Sequence, residues 1–224
     1  MELAGAGTID TRAPWPLLPV GDTESASHLL KRALDVALTL PLLVLALPVM
    51  LVAVVLVKLT SPGPAFYLSP RRGRGEEEFR MFKLRTMVDG AASMQESLAC
   101  NARGALFFKV RGDPRVTPVG RLLRRYSIDE LPQLLNVLRG EMSLVGPRPL
   151  LLDEAPRLPP GLRCARARVR PGITGLWQVL GRSNCPDDER VSLDRRYLDE
   201  WSVELDLAIL LRTIPTVISG RGAE

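Results

Sequence analysis

Residues 36–57 run for 22 positions without a formal charge, reading VALTLPLLVLALPVMLVAVVLV. That is the length at which an apolar helix fills the hydrocarbon core of a bilayer. A helix that is apolar on every face needs lipid around it or the centre of a large core. With 224 residues in all, the chain has room beyond this stretch for one further domain. The rest of the sequence must therefore be placed relative to a membrane.

Two features bear on how the stretch meets that membrane. Pro41 and Pro48 each remove a backbone donor and crowd the preceding turn, which predicts a kink or break near the middle. Lys31 and Arg32 precede the stretch, and Lys58, Arg71, Arg72 and Arg74 follow it. Basic flanks favour the cytoplasmic side, so both ends are drawn to the same face. A helix that enters one leaflet, breaks at Pro48 and returns satisfies both ends. A proline-kinked single span with one basic end outside is the alternative. The first arrangement divides the chain into a mobile tail (1–27), a re-entrant membrane helix (28–59) and a cytoplasmic domain (60–220). Ser27 is available to cap the helix, and Asp35 to pair with Lys31 one turn earlier.

The net charge of +5 suits anionic partners: nucleic acid, an acidic membrane surface or phosphorylated substrates. Zinc-finger spacing and aromatic-basic RNA-binding patterns are missing, so the membrane and phosphates are favoured and nucleic acid is not. Cys100, Cys164 and Cys185 are odd in number and widely spaced, which indicates neither a disulfide framework nor a zinc site and agrees with a reducing compartment. The single histidine, His28, precedes the apolar stretch, which argues against histidine triads and histidine metal sites.

After a Thr60-Ser61-Pro62-Gly63-Pro64 stop, β-prone pieces at 65–68 and 79–84 flank a polar loop at 69–78. Lys83 and Arg85, two apart, would share one face of the second strand. Residues 88–103 read as helix and 107–110 as a short strand. Val119, Leu122, Leu123 and Tyr126 recur at helical spacing among Arg121, Arg124 and Arg125, as on a cationic surface helix. Apolar residues at helical spacing return over 201–218, an interfacial or core-packing helix with Trp201 at headgroup level. The fold class is α+β, mostly helical, with short strands and interfacial amphipathic helices beside the membrane element.

The chemistry concentrates from Ser127 onward. In Ser127-Ile128-Asp129-Glu130-Leu131-Pro132 the proline belongs to the first turn of a helix, which puts Asp129 and Glu130 at a helix N-terminus. The dipole there favours ionised carboxylates, leaving Asp129 available as a nucleophile and Glu130 as a metal ligand. Ser127 and Glu130 forming a capping box is the structural alternative. Arg148, between Pro147 and Pro149, is a rigidly presented guanidinium suited to phosphate. The segment 168–182 adds Arg168, Arg170 and Arg182 with three glycines whose amides could line a phosphate.

Taken in order, Lys31-Arg32, Ser61-Pro62-Gly63-Pro64, Lys83-Leu84-Arg85-Thr86-Met87, Asp129-Glu130-Leu131-Pro132-Gln133-Leu134, Val145-Gly146-Pro147-Arg148-Pro149 and Arg170-Pro171-Gly172-Ile173-Thr174-Gly175 resemble the bacterial sugar transferases, the monotopic phosphoglycosyl transferases of surface-polysaccharide assembly. The resemblance covers about residues 28–220. It implies transfer of a sugar 1-phosphate from a UDP-sugar to a polyprenyl phosphate at the bacterial inner membrane, with release of the nucleoside monophosphate. Asp129 would form a phosphosugar-aspartate, and Glu130 with Asp129 would hold Mg²⁺, with Mn²⁺ as the substitute. Lys83 and Arg148 are implied as diphosphate contacts, with Arg85, Arg170 and Arg182 as further ones. Asp194 falls where the family has an aspartate, either near the metal or supporting the fold. A homodimer and a catalytically silent membrane scaffold remain open. Two departures stand out: Leu47 replaces the family's serine before Pro48, and residues 183–188 lack a tryptophan common there.

Overall fold

Helix α1, Asp22–Thr60, is 39 residues long and carries both prolines inside it. In this computed structural model the described residues are 22–91, 93–94, 106, 112–180 and 185–220. Most of the expected tail, most of the expected helix at 88–103, the strand at 107–110 and Arg182 lie outside them. The helix begins ahead of Ser27, which is therefore interior to it and not its cap. The expected break at Pro48 is not seen as an interruption, because helix is assigned without a gap from one end to the other. A proline removes one N–H bond from the ladder, and a continuous helix can absorb that loss as a bend.

One stripe of α1 is buried along its length: Asp35, Thr39, Ala46, Ala53 and Val57. Thr39, Ala46 and Ala53 are seven apart, which is close to two turns, so they share a face. Leu40, Val44, Leu45, Leu51, Val52 and Leu59 on other faces are exposed. The stripe crosses two cores. Ala46 packs with Met81, Leu134, Val137, Val145 and Ile209, and Ala53 and Val57 pack with Ala65, Leu84 and Leu123.

The rest follows α1 in short elements. Strands β1 (Phe66–Arg72) and β2 (Glu78–Leu84) form an antiparallel hairpin with Tyr67 opposite Lys83. The first strand runs past the expected 65–68 into the predicted loop. Helix α2 is Pro118–Arg125, started by Thr117, whose Oγ1 accepts from Gly120 N at 2.9 Å. A 3-10 turn, Ile128–Glu130, leads into α3, Gln133–Arg139, which ends at Gly140 in the left-handed region. Strands β3 (Ser143–Val145) and β4 (Gly172–Thr174) pair in parallel. Between them lie a 3-10 turn, Ala155–Arg157, and α4, Pro160–Ala167. Helices α5 (Leu176–Leu180), α6 (Asp187–Asp199) and α7 (Val203–Ser219) close the chain.

The start of α1 is pinned by polar contacts. Lys31 pairs with Asp206 of α7 and not with Asp35. Asp35 instead accepts from Ser143 Oγ and Leu144 N, each at 3.0 Å. A buried carboxylate takes the partners that tertiary packing brings, and β3 lies across this turn of the helix. Trp201 donates to Asp206 at 3.2 Å and stacks on His28, so it helps dock α1 onto α7.

The glycines of the Arg-Pro-Gly-Ile-Thr-Gly run serve protein packing. A Cβ on Gly172 would overlap Gly146 N, and one on Gly175 would overlap Gly146 O. Their use is to let two backbones meet at the β3–β4 junction, where the sequence suggested close approach to a phosphate. Gly172→Ala is expected to destabilise the protein by at least about 2 kcal/mol, because the clash is with backbone that has nowhere to go. Gly172 is not in the left-handed region, so the loss reads the backbone clash alone, and thermal unfolding checks it.

Candidate active site

Three elements meet around Asp129. Strand β2 brings Lys83, the 3-10 turn brings Asp129 and Glu130, and α2 brings Arg124. Asn136 of α3, fully buried, locks α3 to β2: its Oδ1 accepts from Phe82 N at 2.9 Å and its Nδ2 donates to Arg80 O at 2.8 Å. The Phe82 bond is one residue from Lys83, so the same contact sets where β2 presents the lysine. Thr86, just beyond β2, holds α2. Its carbonyl accepts from Thr117 N at 3.0 Å, and its Oγ1 accepts from Arg124 Nε at 2.9 Å. Gly120 makes the close approach possible, since a Cβ there would overlap the Thr86 carbonyl.

The acidic pair sits one turn earlier than the sequence suggested. Asp129 and Glu130 lie in the 3-10 turn before α3, and Ser127 makes no side-chain cap. The capping box is absent because Ser127 is in the left-handed region, φ 54°, ψ 23°, where a capping residue would be extended. A serine held there is a strained residue beside a functional site, which is where such strain recurs.

Lys83 Nζ stands 2.7 Å from Glu130 Oε1 and 3.9 Å from Asp129 Oδ2. The two carboxylates respond in opposite directions. Burial pushes the Asp129 carboxyl up to about 6, with the Lys83 charge opposing and the Glu130 charge adding to the rise. Burial also raises Glu130, but Lys83 and Arg148 outweigh it and hold its carboxyl below the usual range. The helix dipole expected to favour ionised Asp129 is therefore outweighed, because desolvation is the larger effect at a residue only 6% exposed. Two neighbouring acids pushed apart in this way are suited to different tasks. Glu130 holds the lysine, and Asp129 keeps an under-compensated oxygen.

A cleft of about 230 Å³ opens at Glu130, lined also by Lys83, Gln133, Arg148, Ile173 and Gln178 among others, while Asp129 is buried beside it and is not one of the lining residues. Arg148 is exposed, with Cζ 5.9 Å from the Trp177 ring. It also lines a neighbouring cleft of about 360 Å³ with Arg72, Leu150, Ala155 and Arg163. Gln178 donates to Ile173 O at 2.9 Å, and its buried Oε1 has no partner among the described residues.

The other predicted cations are elsewhere. Arg85 lies past the end of β2, and its guanidinium donates to Ser61 O at 2.8 Å and to Pro62 O. It ties down the turn after α1, so Lys83 and Arg85 do not share a face. Arg170 donates to Gly140 O at 2.7 Å, joining Arg32 at the carbonyl end of α3. Asp194, expected either near the metal or supporting the fold, is buried against Arg166 of α4. The sequence reading missed Arg124, which the charges of Asp129 and Glu130 reach. It stood out only as one of three arginines on a helix face, and nothing local distinguished it from Arg121 or Arg125.

Glu130 is a hard oxygen donor at the cleft and Asp129 a second one buried beside it, and no group of three or more acidic, histidine or cysteine side chains that could hold a metal ion occurs among the described residues. Such a pair fits Mg²⁺, which binds through one or two carboxylates and completes its shell with phosphate oxygens and water.

Residues 26–220 match the family described as bacterial sugar transferase. The exopolysaccharide production protein ExoY of Rhizobium meliloti is 41% identical over 198 residues, 86% of this chain and 87% of that protein. A UDP-glucose:undecaprenyl-phosphate glucose-1-phosphate transferase of Caulobacter vibrioides is 43% identical over 206 residues, 87% of this chain and 72% of that protein. An undecaprenyl-phosphate galactose phosphotransferase of Salmonella typhimurium is 40% identical over 204 residues, 88% of this chain and 42% of that protein.

Proposed function

The chain belongs to the bacterial sugar transferase family, and from that premise we propose that it transfers a sugar 1-phosphate from a UDP-sugar to undecaprenyl phosphate, releasing UMP and starting an exopolysaccharide or related glycan. The observation that carries this reading is the divided acidic pair, with Lys83 bonded to Glu130 and the Asp129 oxygen left under-compensated.

In the first step an Asp129 oxygen attacks the β-phosphorus of the donor. The bond from that phosphorus to the oxygen bridging the two phosphates breaks, and UMP leaves with the electron pair. In the second step an oxygen of the lipid phosphate attacks the same phosphorus and the Asp129 carboxylate departs. Neither step needs a general acid, since every leaving oxygen is an anion of low basicity. Lys83, Arg124 and Arg148 offset the charge gathered around the diphosphate. Glu130 and Asp129 are the residues that would hold Mg²⁺, which when bound neutralises diphosphate oxygens and assists the departure of UMP.

A soluble sugar nucleotide and a lipid phosphate can share one carboxylate only at the membrane surface. The buried stripe of α1 keeps both its ends on the catalytic domain, Lys31 at one end and Val57 at the other. This favours a helix that enters and leaves by the cytoplasmic face over one that carries an end across. With Cys100, Cys164 and Cys185 replaced by serine, single cysteines introduced at Leu30 and Leu59, both exposed, are expected to react with a membrane-impermeant maleimide only when the cytoplasmic face is opened. Labelling of either from the periplasm of intact cells would refute the re-entrant placement.

The function is tested by mixing the purified protein with a panel of UDP-sugars and undecaprenyl phosphate and measuring UMP. One or more sugars should give lipid-dependent release that EDTA stops and Mg²⁺ restores. No release from any sugar nucleotide would leave the scaffold reading in its place.

A further inference from the structure

Arg148 reaches the cleft from a loop, between β3 and the 3-10 turn at Ala155–Arg157, with no helix or strand of its own to hold it. Its backbone is gripped from two sides by buried guanidinium groups. Arg166 of α4 donates one nitrogen to the Arg148 carbonyl and the other to Asp194 of α6. Arg71 of β1 donates from Nη1 to the Pro149 carbonyl at 3.2 Å and from Nε to Ser69 Oγ at 3.1 Å. Arg71, Arg166, Ser69 and Asp194 are 7%, 8%, 4% and 3% exposed. Burying two cations near a third is unfavourable unless each is well bonded, and a loop that only needed closing could be closed by neutral donors. Pro147 and Pro149 already narrow the backbone on both sides of Arg148. With two consecutive carbonyls fixed as well, the main freedom left at this position is that of the side chain.

We propose that Arg71 and Arg166 are positioning residues, which grip the carbonyls of Pro149 and Arg148 so that the Arg148 guanidinium stands pre-oriented at the mouth of the cleft for the substrate diphosphate. The inference rests on the diphosphate reading of that cleft. The arrangement resembles the support that a binding group needs from residues that never touch the ligand. It also gives Asp194 a role at a distance from the reaction, since that carboxylate balances Arg166.

The test is a double-mutant cycle read by the affinity of the full chain, in detergent or nanodiscs, for UDP in magnesium-containing buffer. Arg148→Ala should weaken UDP about 10-fold or more, the loss of a charge-assisted contact. Arg71→Lys keeps a cation but cannot span Ser69 and Pro149 together, and should weaken UDP about 5-fold in the unsubstituted background. In the Arg148→Ala background the same change should have less than about a 2-fold effect. A residue that matters only for folding would weaken UDP equally in both backgrounds, and that additive result overturns the clamp while leaving the donor reading intact. Absence of UDP binding to the unsubstituted protein overturns the diphosphate reading and the purpose of the clamp with it. Should Arg71→Lys fail to fold by thermal unfolding, Ser69→Ala, which frees Arg71 Nε without removing the cation, takes its place in the cycle. A smaller effect in the Arg148→Ala background then supports the clamp, and an equal effect in both backgrounds overturns it.

Discussion

Asp129→Asn is expected to reduce UMP release by about 10⁴-fold or more, the scale seen when a covalent nucleophile is removed, without loss of folded protein. The stability half of this expectation follows from the direction of the titration. The Asp129 carboxyl rises from 3.8 unfolded to about 6 folded. Folding therefore favours the protonated form, and the cost of ionising the group in place sets in as pH climbs from about 4 and is complete above about 6. Asparagine mimics the neutral acid, so the variant should unfold at the same temperature as the parent below about pH 4, where the carboxyl is protonated in both states, and at a higher one at pH 8. Mass spectrometry supplies the second measurement. Incubation of the parent with donor alone should add a sugar phosphate to the peptide containing Asp129, and the variant should add none. Full activity in Asp129→Asn would remove this residue from the mechanism.

Lys83→Met is expected to lower kcat/KM by about 10²- to 10³-fold, the usual result of deleting one charge that faces a transferring phosphoryl group. It should also move the pH dependence. A carboxylate nucleophile must be ionised, so activity in the parent falls as pH drops through about 6, with Asp129 taking up its proton. Lys83 is the main charge holding that value down, 3.9 Å from Asp129 and 2.7 Å from Glu130. Without it Asp129 faces a neighbouring carboxylate with only Arg124 and the more distant cations in opposition. The acidic limb of the rate profile should then shift toward neutral pH. A loss of rate with the limb unmoved would mean that Lys83 contacts substrate but does not tune the nucleophile.

Much of the fold was legible because its signals are local. The 22-residue apolar run, the Pro-Gly-Pro stop after it, the hairpin and the amphipathic helix ending in Arg124 and Arg125 are each written within a few residues of themselves. The adjacency of Asp129 and Glu130 is covalent and could not have been lost. Boundaries and pairings were less secure. Ser127 reads as a cap, but its left-handed backbone moves the acidic turn off the helix. Lys31 and Asp35 read as a pair one turn apart, but β3 and α7 offer each a better-placed partner.

Seven cations, Arg71, Lys83, Arg85, Arg124, Arg148, Arg166 and Arg170, follow the membrane stretch in an order that says nothing about their roles. Tertiary structure sorts them. Lys83 reaches the acidic pair, Arg124 stands beside it and Arg148 faces the cleft, whereas Arg85 and Arg170 are used up on backbone carbonyls. The reason is physical: a guanidinium bonds to whatever oxygen is within reach, and which oxygen that is depends on elements dozens of residues away. By itself the sequence determined that one helix is long and apolar enough to lie in lipid and that two acids must stand side by side. Only the tertiary structure decided that one of those acids would be matched by a lysine and the other left buried, because desolvation and charge pairing are properties of a position in space.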